Sequence, residues 1–380
     1  MRTAGRVLVA ACAVWLSGCG SWGFFGLFTD ASKKPMPLAE IRASVTPKVA
    51  WSASVGKSGE YKFWPMVAGN RVFAAAADGT ITLVDLDSGR VASRLDAKRK
   101  LSSGAAGLGE LVIAGTIKGE VVAMDTGGKE KWVANVAGEV LAPVVVAGKH
   151  ALVRTSDGRI YALSLDDGKR QWIYTRTTPA LLLRAETAVV ATATNVVAGY
   201  PGGKLIALDL EDGKLTWEVT VSLPRGATEL ERVADVSGLP VLDGGRICAA
   251  AFQGKIACFE IQTGNTLWTR EISSASGLAI DDKSVYVTDD QDIVHGLDRE
   301  GGASRWKQDK LQRRRLTVPV VVEGKVVVGD SLGYLHVLSK DDGAIIGRLG
   351  VDGGAVQAMV PANSGLLVQT AGGTLSFVRF

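Results

Sequence analysis

Histidine is scarce, and its three copies, His150, His295 and His336, stand far apart without metal-ligand spacing. No Gly-x-Ser-x-Gly elbow, phosphate loop or haem-attachment motif is present. The formal net charge is only +4 over 380 residues, which gives no electrostatic case for nucleic acid. No two of the four cysteines are adjacent. The apolar stretch at residues 7–16 is too short to cross a bilayer as a helix. An acidic group (Asp281, Asp282, Asp289, Asp290 and Asp292) lacks the loop spacing of a calcium-binding hand and is expected to decorate turns. The common signatures of catalysis and metal binding are therefore missing, and the informative feature is architectural.

That feature is a repeat of about forty residues, clearest at 203–217 (GKLIALDLEDGKLTW). It reads as a glycine turn, an alternating strand, an acidic-glycine turn and a strand carrying tryptophan. Aligned copies place Gly89, Gly128, Gly168, Gly213, Gly264, Gly302 and Gly343 at the second turn. Four residues on stand Ser93, Trp132, Trp172, Trp217, Trp268, Trp306 and Gly347. An eighth copy is split: 373–377 supplies the glycine turn and a strand, and 50–55, with Trp51, supplies the tryptophan strand. Strands and tight turns at this period predict an all-β fold, an eight-bladed β-propeller of four-stranded antiparallel blades. The last blade is closed by the N- and C-terminal strands, which removes exposed sheet edges. Alternation puts Leu205, Ala207 and Asp209 on one face and Ile206 and Leu208 on the other. The small residue at Ala207, or Ala162 in the neighbouring copy, is expected to let adjacent sheets stack closely. The repeated tryptophans are expected to fill the gaps between blades, each burying about 150–250 Å²; cofactor stacking is the alternative reading for them.

The first residues stand outside the repeats. Arg2 and Arg6 precede the apolar stretch, which ends in Leu16-Ser17-Gly18-Cys19. This resembles a bacterial lipobox and implies a cleaved leader at 1–18 and a lipidated Cys19. One acyl chain anchors marginally, whereas two or more hold; the resemblance implies three. Gly20 after the cysteine favours the Gram-negative outer membrane, with the body facing the periplasm. Residues 19–45 read as a flexible tether and 46–380 as the propeller. Trp22, Phe24, Phe25 and Phe28 either sit at the membrane interface or pack on the propeller. With Cys12 removed and Cys19 lipidated, Cys248 and Cys258 remain, flanking one predicted hairpin turn. A two-residue loop would point them to opposite faces, and two buried thiols acting as small hydrophobes are the expected state. A bulged loop would return them to one face, and an oxidising compartment then permits a disulfide.

Two segments depart from the repeat and are the expected binding elements. Residues 179–184 (PALLLR) precede the fourth blade. Between Trp217 and Trp268 the spacing stretches to 51 residues, the excess lying in 223–238 (LPRGATELERVADVSG). The basic run 307–315, with Arg313, Arg314 and Arg315 consecutive, is either a further patch or a solvated loop.

Lipobox, eight quinoprotein-type repeats, PALLLR and ATELERVADV together resemble the BamB family, the lipoprotein propellers of the outer-membrane β-barrel assembly (BAM) machinery. The resemblance covers essentially the whole chain. It implies a non-catalytic scaffold with no cofactor, which binds the periplasmic POTRA domains of BamA within the BAM complex. It also implies aid in delivering unfolded outer-membrane proteins. The family's partner surface, a Leu-x-Leu-Arg loop and an Asp-x-Asp pair, carries over to Leu181, Leu183, Arg184 and Asp235. Ser237 stands where the second acid is expected. The repeats alone are shared with quinone-cofactor (PQQ) dehydrogenases, and a saccharide-binding pore is a third reading of the same fold.

Overall fold

A computed structural model describes residues 34–177, 179, 181, 183, 186 and 188–380. The leader 1–18, Cys19, Trp22, Phe24, Phe25, Phe28 and Arg184 lie outside the described residues. The folded unit, Pro35–Phe380, consists of eight four-stranded antiparallel sheets. Blades 1 to 7 span 66–96, 106–135, 145–174, 190–220, 241–270, 278–308 and 320–350. Blade 8 combines Val356–Ala362, Gly365–Thr370 and Thr374–Arg379 with Lys48–Ser54, which pairs with the last strand from Lys48↔Arg379 to Ser54↔Thr374. First strands touch across the 1–2, 2–3, 3–4, 5–6, 6–7 and 7–8 junctions and so line the inner rim. The core is divided into eight buried layers, one at each blade junction, including the 8–1 junction through Val55, Val72, Leu375 and Phe377. The ring is therefore the eight-bladed propeller that the repeats predict, stitched shut by both chain ends.

Each of the six repeat tryptophans does the same work. The indole N–H of Trp132 donates to Leu165 O of the next blade at 2.8 Å. Trp172, Trp217, Trp268 and Trp306 do so to Leu210, Ile261, Arg299 and Lys340 at 3.0, 2.9, 2.9 and 2.8 Å. Trp51 donates to Leu86 O at 2.8 Å and closes the ring from blade 8 to blade 1. The ring lies flat against the turn of the next blade. A Cβ on Gly168 or Gly343 would overlap it, and both glycines have positive φ, 70° and 72°. Across its own sheet each tryptophan of blades 2 to 6 faces a small residue: Ala123, Ala162, Ala207, Cys258 or Gly296. Where Ser93 and Gly347 replace the tryptophan, the facing residue grows to Leu83 and Val337. In blades 1 to 7 the pair therefore trades volume, large against small, whereas in the closing blade Trp51 faces Phe377 and the two rings stack, 5.7 Å between centroids.

The gap at Gly347 has a second filler. Ser44 N and Val45 N both donate to Ile346 O at 3.0 Å, and a Cβ on Gly347 would sit 2.8 Å from Val45 O. The N-terminal chain thus occupies the space that an indole takes at other junctions. Residues 36–45 belong to this docked segment: Met36 N donates to Gln312 O at 3.1 Å, and Ile41 and Val45 pack on the blade 6–7 and 7–8 layers. Gly347→Trp is expected to overpack the junction, cost about 1–3 kcal/mol and release the segment. Amide exchange at Val45 measures it; unchanged protection would show that the indole fits alongside.

The basic run 307–315 is not one solvated patch. Arg314 is buried with Asp330 and His336. Its Nε donates to Asp330 Oδ2 at 2.7 Å, His336 Nε2 lies 3.0 Å from the same oxygen, and Arg314 Nη1 donates to Met36 O at 2.7 Å. Arg348 Nη2 donates to Ala39 O at 3.1 Å. The buried cluster clamps the N-terminal segment to blade 7.

The cysteine expectation of two buried thiols is corrected. The blade 5 hairpin closes with Ala251 N donating to Lys255 O at 2.9 Å, a three-residue loop over 252–254. That register sets Cys248 directly opposite Cys258, with Cα atoms 4.0 Å apart, and the two form a disulfide. The bulged-loop alternative is the one realised.

Candidate partner-docking surface

The connections that lead from the outermost strand of one blade to the innermost strand of the next emerge on one face. The 3–4 connection contains PALLLR, and the 4–5 connection contains the insertion, so the two irregular segments flank blade 4 on that face. Asp235 joins them. Its side chain is buried, with Oδ2 accepting from Leu183 N at 2.7 Å and Oδ1 from Gly202 N at 3.1 Å. Its carbonyl accepts from Phe252 N at 2.9 Å. One residue therefore fixes three segments, and its carboxylate faces inward rather than outward. Leu183 is half-buried, whereas Leu181 stands 45% exposed beside it. Ser237 Oγ donates to Ala275 O at 3.3 Å, tying the end of the insertion to the next connection.

Beneath this surface Tyr200 is fully buried, its hydroxyl donating to Gly158 O at 2.5 Å. Burial pushes its pKa up, so it stays neutral. The Arg154 and Arg176 guanidinium carbons lie 5.3 and 6.0 Å from its ring centroid. Arg176 also pairs with Glu218 and holds that carboxyl below its usual range. Lys62 before blade 1 reaches Glu186 before blade 4 at 2.9 Å; both are half-exposed, so the pair adds little stability.

The insertion carries order that its composition conceals. Thr228 and Glu231 form a reciprocal cap: Glu231 N donates to Thr228 Oγ1 at 3.2 Å, and Thr228 N to Glu231 Oε2 at 3.0 Å. The Thr228 N and Ala227 N bonds to its carboxylate hold the Glu231 pKa down. Arg232 Nε donates to Gly226 O at 3.0 Å. With its amide oriented to satisfy both ends, the Gln253 NH2 lies 3.0 to 3.2 Å from the carbonyls of Val233, Glu231 and Leu230. Val233, Ala234 and Val236 face inward and are buried. The Thr-x-x-Glu spacing was the available sequence signal for this turn.

The remaining polar candidates serve the fold. Asp281 accepts from Lys283 N and Ser284 N, Asp289 from Gln291 N and Ile293 N, and Asp292 from Arg315 N and Leu316 N. His295 sits on Asp289 at 2.8 Å, and His336 on Asp330. Among the described residues no group of three or more His, Cys, Asp or Glu side chains is placed to hold a metal ion.

The family model described as outer membrane protein assembly factor BamB matches residues 77–308. The outer membrane protein assembly factor BamB of Bordetella pertussis is 40% identical over 366 residues, 96% of this chain and 94% of that protein. This chain belongs to the BamB family. The crystal structure of BamB from Moraxella catarrhalis superposes with a TM-score of 0.81 at 26% identity, covering 88% of this chain and all of that one. The quinohemoprotein alcohol dehydrogenase of Comamonas testosteroni superposes with a TM-score of 0.69 at 12% identity, over 87% of this chain and 76% of that one, a likeness of fold alone. Within the BamB-family chain, the sequence candidates Leu181, Leu183 and Asp235 are brought together, with Ser237 two residues beyond on the insertion.

Proposed function

We propose that this chain is a scaffold lipoprotein of outer-membrane protein assembly. In this reading the leader 1–18 is removed and Cys19 carries the lipid that holds the protein on the periplasmic face of the outer membrane. Segment 19–45 links anchor to propeller, its last ten residues lying along blade 7, and 46–380 forms the body. The body docks on the POTRA domains of BamA through Leu181, Leu183, Arg184 and Ser237, with Asp235 holding the Leu183 backbone from behind, and aids the insertion of β-barrel proteins without catalysis. The observation that carries the reading is the Asp235 bridge. A rigid blade presents Leu181 at the junction of the two segments that break the repeat, and the backbone behind it is fixed by a buried carboxylate. Apolar anchors on a preorganised frame are what a specific interface needs.

The test is co-purification with BamA from solubilised envelopes. Leu181→Ala with Leu183→Ala is expected to weaken recovery on the order of tenfold to a hundredfold while the thermal midpoint stays near that of the parent. Unchanged recovery would place the docking surface elsewhere on the ring.

A further inference from the structure

Leu230 and Leu223 are the two most exposed large hydrophobic side chains among the described residues, 67% and 64% accessible. Both lie in the insertion, and Leu239 at its end is 42% exposed. Single exposed leucines are ordinary on a protein surface. These differ in being held out by an ordered frame. The turn at 227–233 is capped at its start by Thr228 and Glu231, crossed by Arg232 to Gly226 O, and capped at its end by Gln253 of the blade 5 hairpin. Its inward positions are already filled by Val233 and Ala234, so Leu230 has no place in the core. Fixing a turn costs conformational entropy, and this one returns no burial of Leu230 within the chain.

We propose that the turn at 227–233 is a preformed second anchor of the docking surface, and that its exposed Leu230 inserts into an apolar groove on the POTRA domains that meet Leu181. The proposal rests on the docking reading above. Continuity selects the occupant. The turn leads two residues on to Asp235, the residue that fixes the Leu183 backbone, and the Gln253 hairpin that caps the turn also bonds Asp235 O through Phe252 N. The turn and the Leu183 backbone are therefore tied through Asp235 and face one partner together. The charged neighbours Arg225, Glu229, Glu231 and Arg232 balance in sign, so the turn adds apolar affinity within a polar rim rather than long-range steering.

Titration of the full-length lipoprotein in detergent against purified BamA POTRA domains tests this, using the parent, Leu181→Ala, Leu230→Ser and the uncapped Thr228→Ala/Glu231→Ala. Leu230→Ser is expected to weaken binding on the order of tenfold or more with no change in thermal midpoint. The uncapped variant, which keeps Leu230, is expected to weaken it about threefold to tenfold because the turn must order on binding. If the parent fails to bind, or Leu181→Ala binds like the parent, the docking reading falls and the proposal with it. If Leu181→Ala weakens binding and Leu230→Ser does not, the second anchor alone is refuted. If Leu230→Ser instead only abolishes self-association in sedimentation, a second copy of the chain covers the turn and the proposal is overturned.

Discussion

Asp330→Ala is expected to cost about 3–5 kcal/mol in chemical denaturation, the effect of stranding a buried charge. Asp330 is fully buried and accepts from Arg314 Nε, His336 Nε2, Leu332 N and Tyr334 N, at 2.7 to 3.0 Å. Its removal leaves the Arg314 guanidinium, itself only 2% exposed, without its counter-charge. The damage should reach the N-terminal segment, because the same guanidinium holds Met36 O. Loss of amide protection at Met36 and Val45 is the readout; a variant that keeps both protected would show that the clamp is not what docks the segment. Asp330→Asn, which keeps one acceptor oxygen but drops the charge and sets an NH2 against the other pair of donors, should fall between.

The clamp also carries a pH dependence of fixed sign. Burial pushes the His336 pKa down, against the opposing pull of Asp330, so the folded protein holds it neutral. Arg348 Nε lies 3.4 Å from His336 Nδ1 as a donor, which leaves Nε2 to carry the proton towards Asp330. Burial alone would raise the Asp330 pKa, but hydrogen bonds from His336, Tyr334 N and Arg314 outweigh it and the net shift is downward. Both groups therefore hold fewer protons folded than unfolded. Stability from His336 is fully present above its unfolded value near 6.5 and declines as pH falls towards its folded value; that from Asp330 declines below about 3.8.

How far this was legible in the sequence follows the range of the interactions. The tryptophan–glycine turns repeat locally, so the blade count and the split closing blade could be read directly. The small residues facing the tryptophans were half legible: the Ala207 and Ala162 slots were visible, but their exchange for Leu83 and Val337 needs the cross-strand register. Gly347 was visible as a missing tryptophan. Its cause, the backbone at Val45, is about three hundred residues away in the chain, and no local pattern announces it. Arg314 sits among arginines that read as solvated because its partners, Asp330 and Met36 O, are contributed by distant turns. At the docking surface the leucines stood out as departures from the period. The inward role of the Asp235 carboxylate did not, since Leu183 N is 52 residues away.

The disulfide in blade 5 gives the other large effect. Cys248 and Cys258 are ten residues apart, and a crosslink of that span is expected to stabilise by about 3 kcal/mol through the entropy it removes from the unfolded chain. Cys248→Ala/Cys258→Ala should lower the denaturant midpoint accordingly, with the slope altered because the unfolded chain becomes more expanded. Part of the change should appear at the docking surface. The hairpin that the disulfide braces carries Gln253, which caps the exposed turn, and Phe252, which bonds Asp235 O. A looser hairpin should therefore weaken partner binding about threefold to tenfold through lost preorganisation, well below the effect of removing Leu230 itself. Thiol counting checks the premise: denatured without reductant, the chain should offer neither Cys248 nor Cys258 to a maleimide, and both after reduction. Labelling of the two before reduction would mean that the strands are held by packing under Trp268 alone, and the stability difference should then vanish with the bond.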